Sequence, residues 1–302
     1  MIGGVDLWFY GLSYTLGFLE VFLWFRFQRH RLGFSMAEVY DISILLLVCV
    51  VAGGRMVEVI FYEWPYYSFH PSQIPWIWIG GMSTHGLLLG GVLGTAIFCA
   101  LHRRPFLTIA DELVIPGAFL MGVGRIGNFI DGQIVGSVTA VPWAVKFPDA
   151  AGFRHPVVLY DAVKNLLLVP FVVALRRRNP KRGVVMATFI FWYAFLRIFV
   201  DVFREYPTRL FGLATGQSLN IVMSGIGLVL WIWFTTRRRQ AEAPRLPEPP
   251  EPQGLWLRRV VFAGGLLICL TMPSDWTQDV PRRYGARHPG LRYSWMYPEV
   301  SP

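Results

Sequence analysis

Runs of apolar residues long enough to cross a lipid bilayer constrain this chain more than any other feature of its sequence. One helical span needs about 20 consecutive, mainly apolar residues. Runs near that length lie at 8–27, 39–62, 82–101, 108–130, 157–175, 184–203 and 217–236, and a shorter run lies at 256–272. They predict an all-α fold, a polytopic transmembrane helix bundle of seven core spans. For the shorter run we favour an eighth span, with an interfacial helix as the alternative.

The composition agrees with a chain surrounded by lipid. Only 16% of the residues are charged and 54% are hydrophobic, whereas an ordinary soluble domain has about 25% charged residues. The formal net charge is +9, which by itself fits either nucleic acid or an acidic membrane surface as a partner. The positions of the basic residues distinguish these two possibilities.

Basic residues cluster after alternate predicted spans, at 26–31, 103–104, 176–182 and 237–259. Loops rich in Lys and Arg stay in the cytoplasm according to the positive-inside rule. We therefore expect a multi-pass membrane protein with its N-terminus outside. The basic charge then serves membrane topology, and we expect no nucleic-acid partner.

The sequence divides into three regions. Residues 1–239 form the predicted membrane core, 240–254 are rich in Pro and Glu and read as an extended linker, and 255–302 form an extension with the eighth span and an outer tail. Each of the three cysteines stands alone in an apolar stretch, without a partner at metal-ligand spacing. We expect them to be packing residues, and we expect neither a metal nor a cofactor.

Charged residues at membrane depth are costly and normally face a bundle interior or a water-filled cavity. In the segment FWYAFLRIFVDVFRE, Tyr193, Arg197, Asp201 and Arg204 are spaced so that all four share one helical face. This polar stripe is a candidate functional site. The alternative is a structural ion pair between Arg197 and Asp201, which are four residues apart.

Two further segments carry polar residues at the predicted membrane depth. Arg55, Glu58 and Tyr62 share a helical face, either as a functional group or as residues that neutralise each other. His85 begins an apolar span, and it is either a hydrogen bonder between helices or a catalytic residue. Gly90 and Gly94 form a GxxxG pair, which lets two helices approach closely.

The segment GVGRIGNFIDGQIVG places Arg125 and Asn128 among glycines that end with Gly136, near the outer end of a span. Glycines let backbone N–H groups approach a ligand, and an arginine fork suits a pair of phosphate oxygens. The pattern is not a P-loop, because it lacks GxxxxGK[ST]. The alternative is a simple helix break with an interfacial arginine.

Taken in order, these segments resemble the bacterial prolipoprotein diacylglyceryl transferase family. The resemblance covers about residues 8–236. It rests on the segments WFYGLSYTLGF, GGRMVEVIFY, GGMSTHGLLLG, GVGRIGNFIDG, RHPVVLYD, YAFLRIFVDVFRE and GQSLNIVMSG, of which GVGRIGNFIDG is the most specific.

The resemblance implies an enzyme of the bacterial inner membrane. Such an enzyme moves the diacylglyceryl group of phosphatidylglycerol to the lipobox cysteine of a prolipoprotein and releases glycerol phosphate, without a metal. By resemblance, Arg125 and Arg197 contact the phosphate, and His85 is the base candidate with Tyr193 as its competitor. Which of the two takes the thiol proton stays open. The expected substrate-binding residues are Tyr10, Arg125, Asn128, Gly136, Arg154, Asp201 and Arg204.

The chain also departs from the family pattern. The usual HGG reads HGL at 85–87, the NG of the signature is Asp131-Gly132, and the acidic position that follows is Gln133. RHPSQLYE has become RHPVVLYD, and Asp201 replaces the usual glutamate. These departures leave two alternatives open: a paralogue with a different acceptor, and a membrane protein that binds anionic lipid without catalysis.

Overall fold

The computed structural model describes residues 7–61, 63–132, 134–147, 150–204, 209–210, 213–238 and 254–273. Tyr62, Gln133, the linker before Gly254 and the tail from residue 274 lie outside this part of the chain. The helices are α1 (Phe9–Leu32), α2 (Met36–Phe61), the short α3 (Trp64–Tyr67), α4 (Thr84–His102), α5 (Phe106–Ile130), α6 (Val157–Arg177), α7 (Val184–Asp201), α8 (Thr215–Thr236) and α9 (Leu255–Cys269).

The prediction of a polytopic helical membrane protein is confirmed. Within the described residues, six helices are long and apolar enough to cross a membrane: α2, α4, α5, α6, α7 and α8. The first predicted run forms α1, which has 24 residues but carries Glu20, Arg26 and several hydroxyl-bearing side chains. The last run forms α9, which has only 15 residues. The number of spans, seven or eight, stays a prediction.

Local signals in the sequence set the helix boundaries. Gly33 ends α1 in the left-handed conformation, with φ 65°, and its N–H donates to the Arg29 carbonyl. Ser35 and Glu38 then form a capping box at the start of α2, because the Ser35 N–H donates to Glu38 Oε2 (3.0 Å) and the Glu38 N–H donates to Ser35 Oγ (3.2 Å). Pro156 immediately precedes α6.

The helices group into two compact units. The first contains α1 to α4 and α9, and the second contains α5 to α8 with two short hairpins.

In the first unit, α2 and α4 pack with their backbones in direct contact. A Cβ added to Gly90 would lie 2.1 Å from the Cys49 carbonyl oxygen, and one added to Gly86 would lie 2.2 Å from the Gly53 carbonyl oxygen. No side chain fits at either position. The close approach agrees with the expected role of Gly90 in helix packing.

The last helix, α9, runs antiparallel to α1 along most of its length. Near the outer end predicted for α1, the Trp8 N–H donates to the Leu270 carbonyl (3.2 Å), and Thr15 Oγ1 donates to the Leu266 carbonyl (2.9 Å). At the opposite end, Arg258 Nε donates to Asp41 Oδ1 near the start of α2 (2.7 Å). The segment therefore has contacts with the start of α1 and, through Arg258, with the first turns of α2.

In the second unit, α6 packs against α5 and α7, and α7 packs against α8. At the end of this unit that carries the basic residues, buried polar contacts join the helices to one another. Asp111 accepts the N–H groups of Gly183 (2.6 Å) and Met186 (2.8 Å) at the start of α7. Arg176 Nε lies 2.7 Å from Glu112 Oε1. These contacts link α5, α6 and α7 at the ends opposite Arg125.

A small antiparallel hairpin covers the other end of the second unit. Strand β1 (Val145–Lys146) pairs with β2 (Phe153–Arg154), and a second two-residue pair joins β3 (Arg209–Leu210) to β4 (Leu213–Ala214). An isolated bridge joins Gly136 to Arg204, just after α7. The loop after α5 is thus tied to the end of α7.

Candidate functional site

One carboxylate joins Arg125 and Arg197, the two arginines that the resemblance assigns to the phosphate. Arg125 Nε on α5 lies 2.7 Å from Asp161 Oδ2 on α6, and Arg197 Nη1 on α7 donates to the same oxygen. Three helices therefore meet at Asp161. Each of the three residues lies four or five positions from the end of its helix, on the side of the unit away from Arg176.

Arg197 is held by a second carboxylate as well. Its Nε lies 3.0 Å from Asp201 Oδ1, and Asp201 Oδ2 accepts a hydrogen bond from Asn220 Nδ2 on α8 (3.0 Å). The ion pair offered as the alternative interpretation of the stripe is thus present. It is one part of a larger network that spans four helices, so the guanidinium of Arg197 is fixed from two sides.

Lys164 completes the group from the next turn of α6. Its Nζ lies 2.9 Å from Asp161 Oδ1, donates to the Tyr193 carbonyl (3.3 Å) and lies 3.9 Å from the centre of the Tyr193 ring. An ammonium over an aromatic face is attracted by the ring quadrupole. The ring of Tyr193 is therefore a packing surface for Lys164 in this structure.

We call Arg125, Asp161, Lys164, Arg197 and Asp201 the Asp161 cluster. No side chain in it is more than 13% exposed. Three cations face two carboxylates, so these five side chains carry one positive charge in excess. Buried charges are tolerated only when they are paired or when they bind a ligand, and an anion is the ligand that this charge favours.

The helix around Arg125 is continuous. A helix break is the alternative that the glycines of this region suggest, but α5 runs unbroken from Phe106 to Ile130. Arg125 and Asn128 are one turn apart on it, and Arg125 Nη1 donates to Asn128 Oδ1 (3.2 Å). Within a helix the N–H groups of Gly124 and Gly127 serve the helix itself, so close backbone approach to a ligand is restricted to the glycines after Ile130.

Gly136 lies where no side chain fits. An added Cβ would be 2.4 Å from the His155 carbonyl oxygen and 3.0 Å from that of Phe203. Arg154 Nη1 donates to the Gly136 carbonyl (3.2 Å), and Arg204 forms a backbone bridge to Gly136. Gly136, Arg154 and Arg204 therefore form one group at the end of the second unit, where the loop after α5 meets the start of α6 and the end of α7.

Two of the expected site residues, Tyr10 and His85, belong to the first unit. Tyr10 Oη lies 2.9 Å from Tyr14 Oη one turn further along α1. His85 is the second residue of α4 and is half-buried. Ser83 caps that helix and accepts the Gly86 N–H (3.5 Å), while its own N–H donates to the Gly54 carbonyl (3.0 Å).

Arg55 organises the segment that leads to His85. Its Nε donates to the Ile74 carbonyl (2.8 Å), its Nη2 to Tyr67 Oη (2.6 Å), and its Nη1 to the Gly80 carbonyl. Arg55 also interacts electrostatically with Glu58, so mutual neutralisation accounts for only part of its contacts. This buried arginine fixes the chain between α3 and α4.

Three members of the network are absent from the site predicted from the sequence. Asp161 appears in the sequence-based prediction only within the segment RHPVVLYD and without a role, and no role is predicted for Lys164 or Asn220. The spacing of Asp161 and Lys164, three residues apart inside an apolar run, is the signal that marks an ion pair on one helical face. Asn220 offers no comparable signal, because its partner lies on another helix.

The Asp161 cluster can bind an oxyanion. Arginine presents paired N–H donors that match phosphate and carboxylate oxygens, and burial strengthens their electrostatic effect. Among the described residues, no group of three or more His, Cys, Asp and Glu side chains could hold a metal ion.

The fold and the cluster define a multi-pass helical membrane protein with a buried, net positive cluster of arginine, lysine and aspartate side chains. The sequence profile of the prolipoprotein diacylglyceryl transferase family matches residues 1–233. The chain belongs to this family.

The similar proteins include three named phosphatidylglycerol–prolipoprotein diacylglyceryl transferase. The one from Geobacter sulfurreducens is 36% identical over 246 residues, which cover 78% of this chain and 94% of that protein. The one from Desulfotalea psychrophila is 34% identical over 256 residues, or 80% and 94% of the two chains. The one from Aeromonas hydrophila is 35% identical over 249 residues, or 79% and 90%.

Proposed function

We propose that this protein transfers the diacylglyceryl group of phosphatidylglycerol to the lipobox cysteine of prolipoproteins. The cysteine sulfur attacks the carbon of the diacylglyceryl group that is bonded to the phosphate oxygen. A C–S bond forms, and the C–O bond between that carbon and the phosphate oxygen breaks. The electron pair of that bond leaves with the phosphate oxygen as glycerol phosphate, and the thiol proton passes to a base. The reaction agrees with the names of the relatives.

The shared carboxylate of Asp161 is the observation that carries this proposal. It holds Arg125 and Arg197 from two different helices at one oxygen. Two guanidinium groups fixed in this way are arranged before any ligand arrives, so little reorganisation is needed when charge develops. A flexible pair of arginines would lose that advantage.

The charge change of the reaction suits a fixed cationic site. The phosphodiester of phosphatidylglycerol carries one negative charge, and the departing phosphate monoester moves toward two. Arginines that contact the phosphate therefore stabilise the transition state more than the bound lipid, which is the condition for a lower barrier. Asn128, Gly136, Arg154, Asp201 and Arg204 are proposed to line or support the same binding region of the second unit.

His85 and Tyr193 are the two candidates for the base. A thiol with a pKa near 8.5 reacts as the thiolate, so a base helps. The Tyr193 ring packs against the Lys164 ammonium and Tyr193 is only 4% exposed, which favours a packing role for it. We therefore propose His85 as the base and Tyr10 as a binding residue, both on the first unit.

We further propose an orientation in the bacterial inner membrane with the N-terminus outside. In the second unit, Arg176 and Lys181 lie at the end away from the Asp161 cluster, as the positive-inside rule requires of a cytoplasmic end. The cluster then lies toward the outer leaflet. Its distance of one turn or slightly more from the helix ends suits a lipid phosphate, because headgroups flank the hydrocarbon core.

We infer eight spans rather than seven. In the first unit the segment of α9 contacts Trp8 at the start of α1 and Asp41 near the start of α2, which favours a crossing over an interfacial helix. Residues 1–239 then form the transferase core, 240–254 a linker on the cytoplasmic side, and the tail after α9 lies outside. The family match to residues 1–233 supports this boundary of the core.

The experiment that tests this function uses purified protein, phosphatidylglycerol and a synthetic lipobox peptide, and it follows released glycerol phosphate. Arg125→Ala and Arg197→Ala are the test variants. Arg177→Ala is the matched control, because Arg177 is exposed at the far end of α6. We expect release that needs the peptide cysteine and both arginines but not Arg177.

Two results would contradict the proposal. Release without any peptide, or with a different acceptor only, would indicate a paralogue with a changed substrate. Lipid binding by the folded protein without release under any condition would indicate an anionic-lipid binder that performs no chemistry.

A further inference from the structure

Lys164 is a buried ammonium that the reaction as outlined does not use. It lies in α6, a helix long and apolar enough to cross a membrane, and only 7% of it is exposed. Moving an ammonium out of water costs several kcal/mol even after the surroundings relax. A lysine at this place therefore needs a compensating interaction or a function.

Neutralisation of Asp161 alone does not account for Lys164. The Asp161 carboxylate already has Arg125 and Arg197 at Oδ2, and the second of these is also paired with Asp201. Without Lys164, two arginines and two aspartates would balance each other. Lys164 therefore brings the charge in excess to the Asp161 cluster.

Lys164 and the two arginines contact different oxygens of the Asp161 carboxylate. Lys164 Nζ lies 2.9 Å from Asp161 Oδ1, and both arginines contact Oδ2. Lys164 also donates to the Tyr193 carbonyl and packs against the Tyr193 ring. A cation therefore lies at each oxygen of the carboxylate, which disfavours the rotation that would release one arginine.

We propose that Lys164 is a positioning residue for phosphatidylglycerol. It orients Asp161 between the two arginines, and its charge leaves the cluster positive by one, which a phosphodiester monoanion neutralises. This inference rests on the proposed function for the identity of the lipid. Lys164 itself acts through Asp161 and is not assigned a contact with the lipid.

The test compares Lys164→Met, which keeps the length of the side chain without its charge, with Lys164→Arg, which keeps the charge. Arg177→Met, at the exposed end of the same helix, controls for the loss of any positive charge. Binding of phosphatidylglycerol to protein in neutral detergent is measured apart from turnover. We expect Lys164→Met to weaken binding and to raise the KM for the lipid by about tenfold or more, equivalent to ~1.4 kcal/mol, with the KM for the peptide unchanged.

A double variant separates a charge effect from a general loss of structure. Lys164→Met combined with Asp201→Asn has the same excess charge as the unmodified cluster. We expect it to bind the lipid more tightly than Lys164→Met alone. If each substitution only damaged the structure, the double variant would instead bind the lipid more weakly than Lys164→Met. Thermal unfolding of each variant identifies any that does not fold. If Lys164→Met does not fold, Lys164→Arg still tests the proposal, and we expect it to bind the lipid within about threefold of the unmodified protein.

The outcomes distinguish this inference from the proposed function. Normal lipid binding and KM in folded Lys164→Met, or equal losses in Lys164→Arg and Lys164→Met, would overturn the inference while the transferase activity stood. Charge-dependent lipid binding without any turnover in the unmodified protein would support the role of Lys164 in binding and contradict the proposed reaction.

Discussion

Asp161 on α6 pairs with Arg197 on α7, 36 residues further along the chain. The same carboxylate oxygen holds Arg125, which lies 36 residues before it. A single acidic side chain therefore fixes the relative positions of two cations on separate helices. If these arginines bind the lipid phosphate, Asp161 determines whether both can do so at once.

Replacement of Asp161 by Asn tests this relationship. The amide has nearly the same shape but lacks the charge that holds Arg125 and Arg197, so both guanidiniums lose their common anchor. We expect kcat to fall by about 100-fold, with a smaller change in the KM for phosphatidylglycerol, because the cluster keeps its positive charges. Steady-state kinetics with glycerol phosphate release measures both. A kcat within a few-fold of the unmodified value would show that the shared oxygen has no role in turnover.

The same substitution also affects stability. Removing one partner of a buried ion pair leaves uncompensated charge and costs about 3–5 kcal/mol. We expect Asp161→Asn to lower the thermal unfolding temperature in detergent, and Asp161→Glu to recover part of the loss. A matched change at Asp41, which is partly exposed and paired with Arg258, is expected to cost less, because exposed pairs contribute about 0–1 kcal/mol.

Gly136→Ala is expected to disrupt the loop between α5 and α6. The added methyl group would lie 2.4 Å from the His155 carbonyl oxygen, which is backbone and cannot rotate away. Gly124→Ala is the control, because nothing lies within 4 Å of the added Cβ and alanine favours a helix. We expect activity to be lost only in Gly136→Ala and the unfolding temperature to fall by at least about 2 °C. Equal behaviour of the two variants would contradict the packing described for this loop.

Arg55→Met is expected to loosen the segment between α3 and α4. Arg55 donates to carbonyl groups of Ile74 and Gly80 and to the Tyr67 hydroxyl, and the methionine side chain supplies none of these bonds. Limited proteolysis should then cut between residues 64 and 81 at least about tenfold faster, since cleavage follows the population of the open form. Arg103→Met, at an exposed position after α4, should be cut at the same rate as the unmodified protein. An unchanged pattern in Arg55→Met would show that other contacts hold the segment.

The proposed eighth span makes a prediction about topology. With the N-terminus outside and eight crossings, an epitope tag placed after residue 302 is also outside. We expect an antibody to reach this tag in cells whose inner membrane is intact, and a tag inserted near residue 245 to be reached only after the membrane is permeabilised. The reverse pattern for the first tag would favour an interfacial α9 and seven spans.

The helices could be predicted from the sequence, because in each case a local pattern specifies the structure. Long apolar runs gave α1, α2 and α4 to α9 close to their observed ends, and the spacing of Arg197 and Asp201 predicted the ion pair along α7. The predicted run at 108–130 already includes the glycines around Arg125, and the break that was the alternative interpretation of this region is wrong. A helix within lipid retains its backbone hydrogen bonds because no water is available to replace them, and α5 accordingly continues to Ile130.

The centre of the candidate site could not be predicted in this way. The pairing of Asp161 with Arg125 and Arg197 depends on the rotation of three helices about their axes, and no single segment encodes that rotation. Asn220 likewise meets Asp201 only because α8 packs on α7. The contacts of Arg55 could not be predicted from a local pattern either, because its partners lie in a loop after its own helix.

The measurement that tests the account most directly is the mass of a lipobox peptide after incubation with the purified protein and phosphatidylglycerol. We predict a gain equal to one diacylglyceryl group on the cysteine, no gain when that cysteine is replaced by serine, and no gain with Arg125→Ala that is still folded. An unmodified peptide in the presence of folded, lipid-binding protein would contradict the assignment of this chain as a diacylglyceryl transferase.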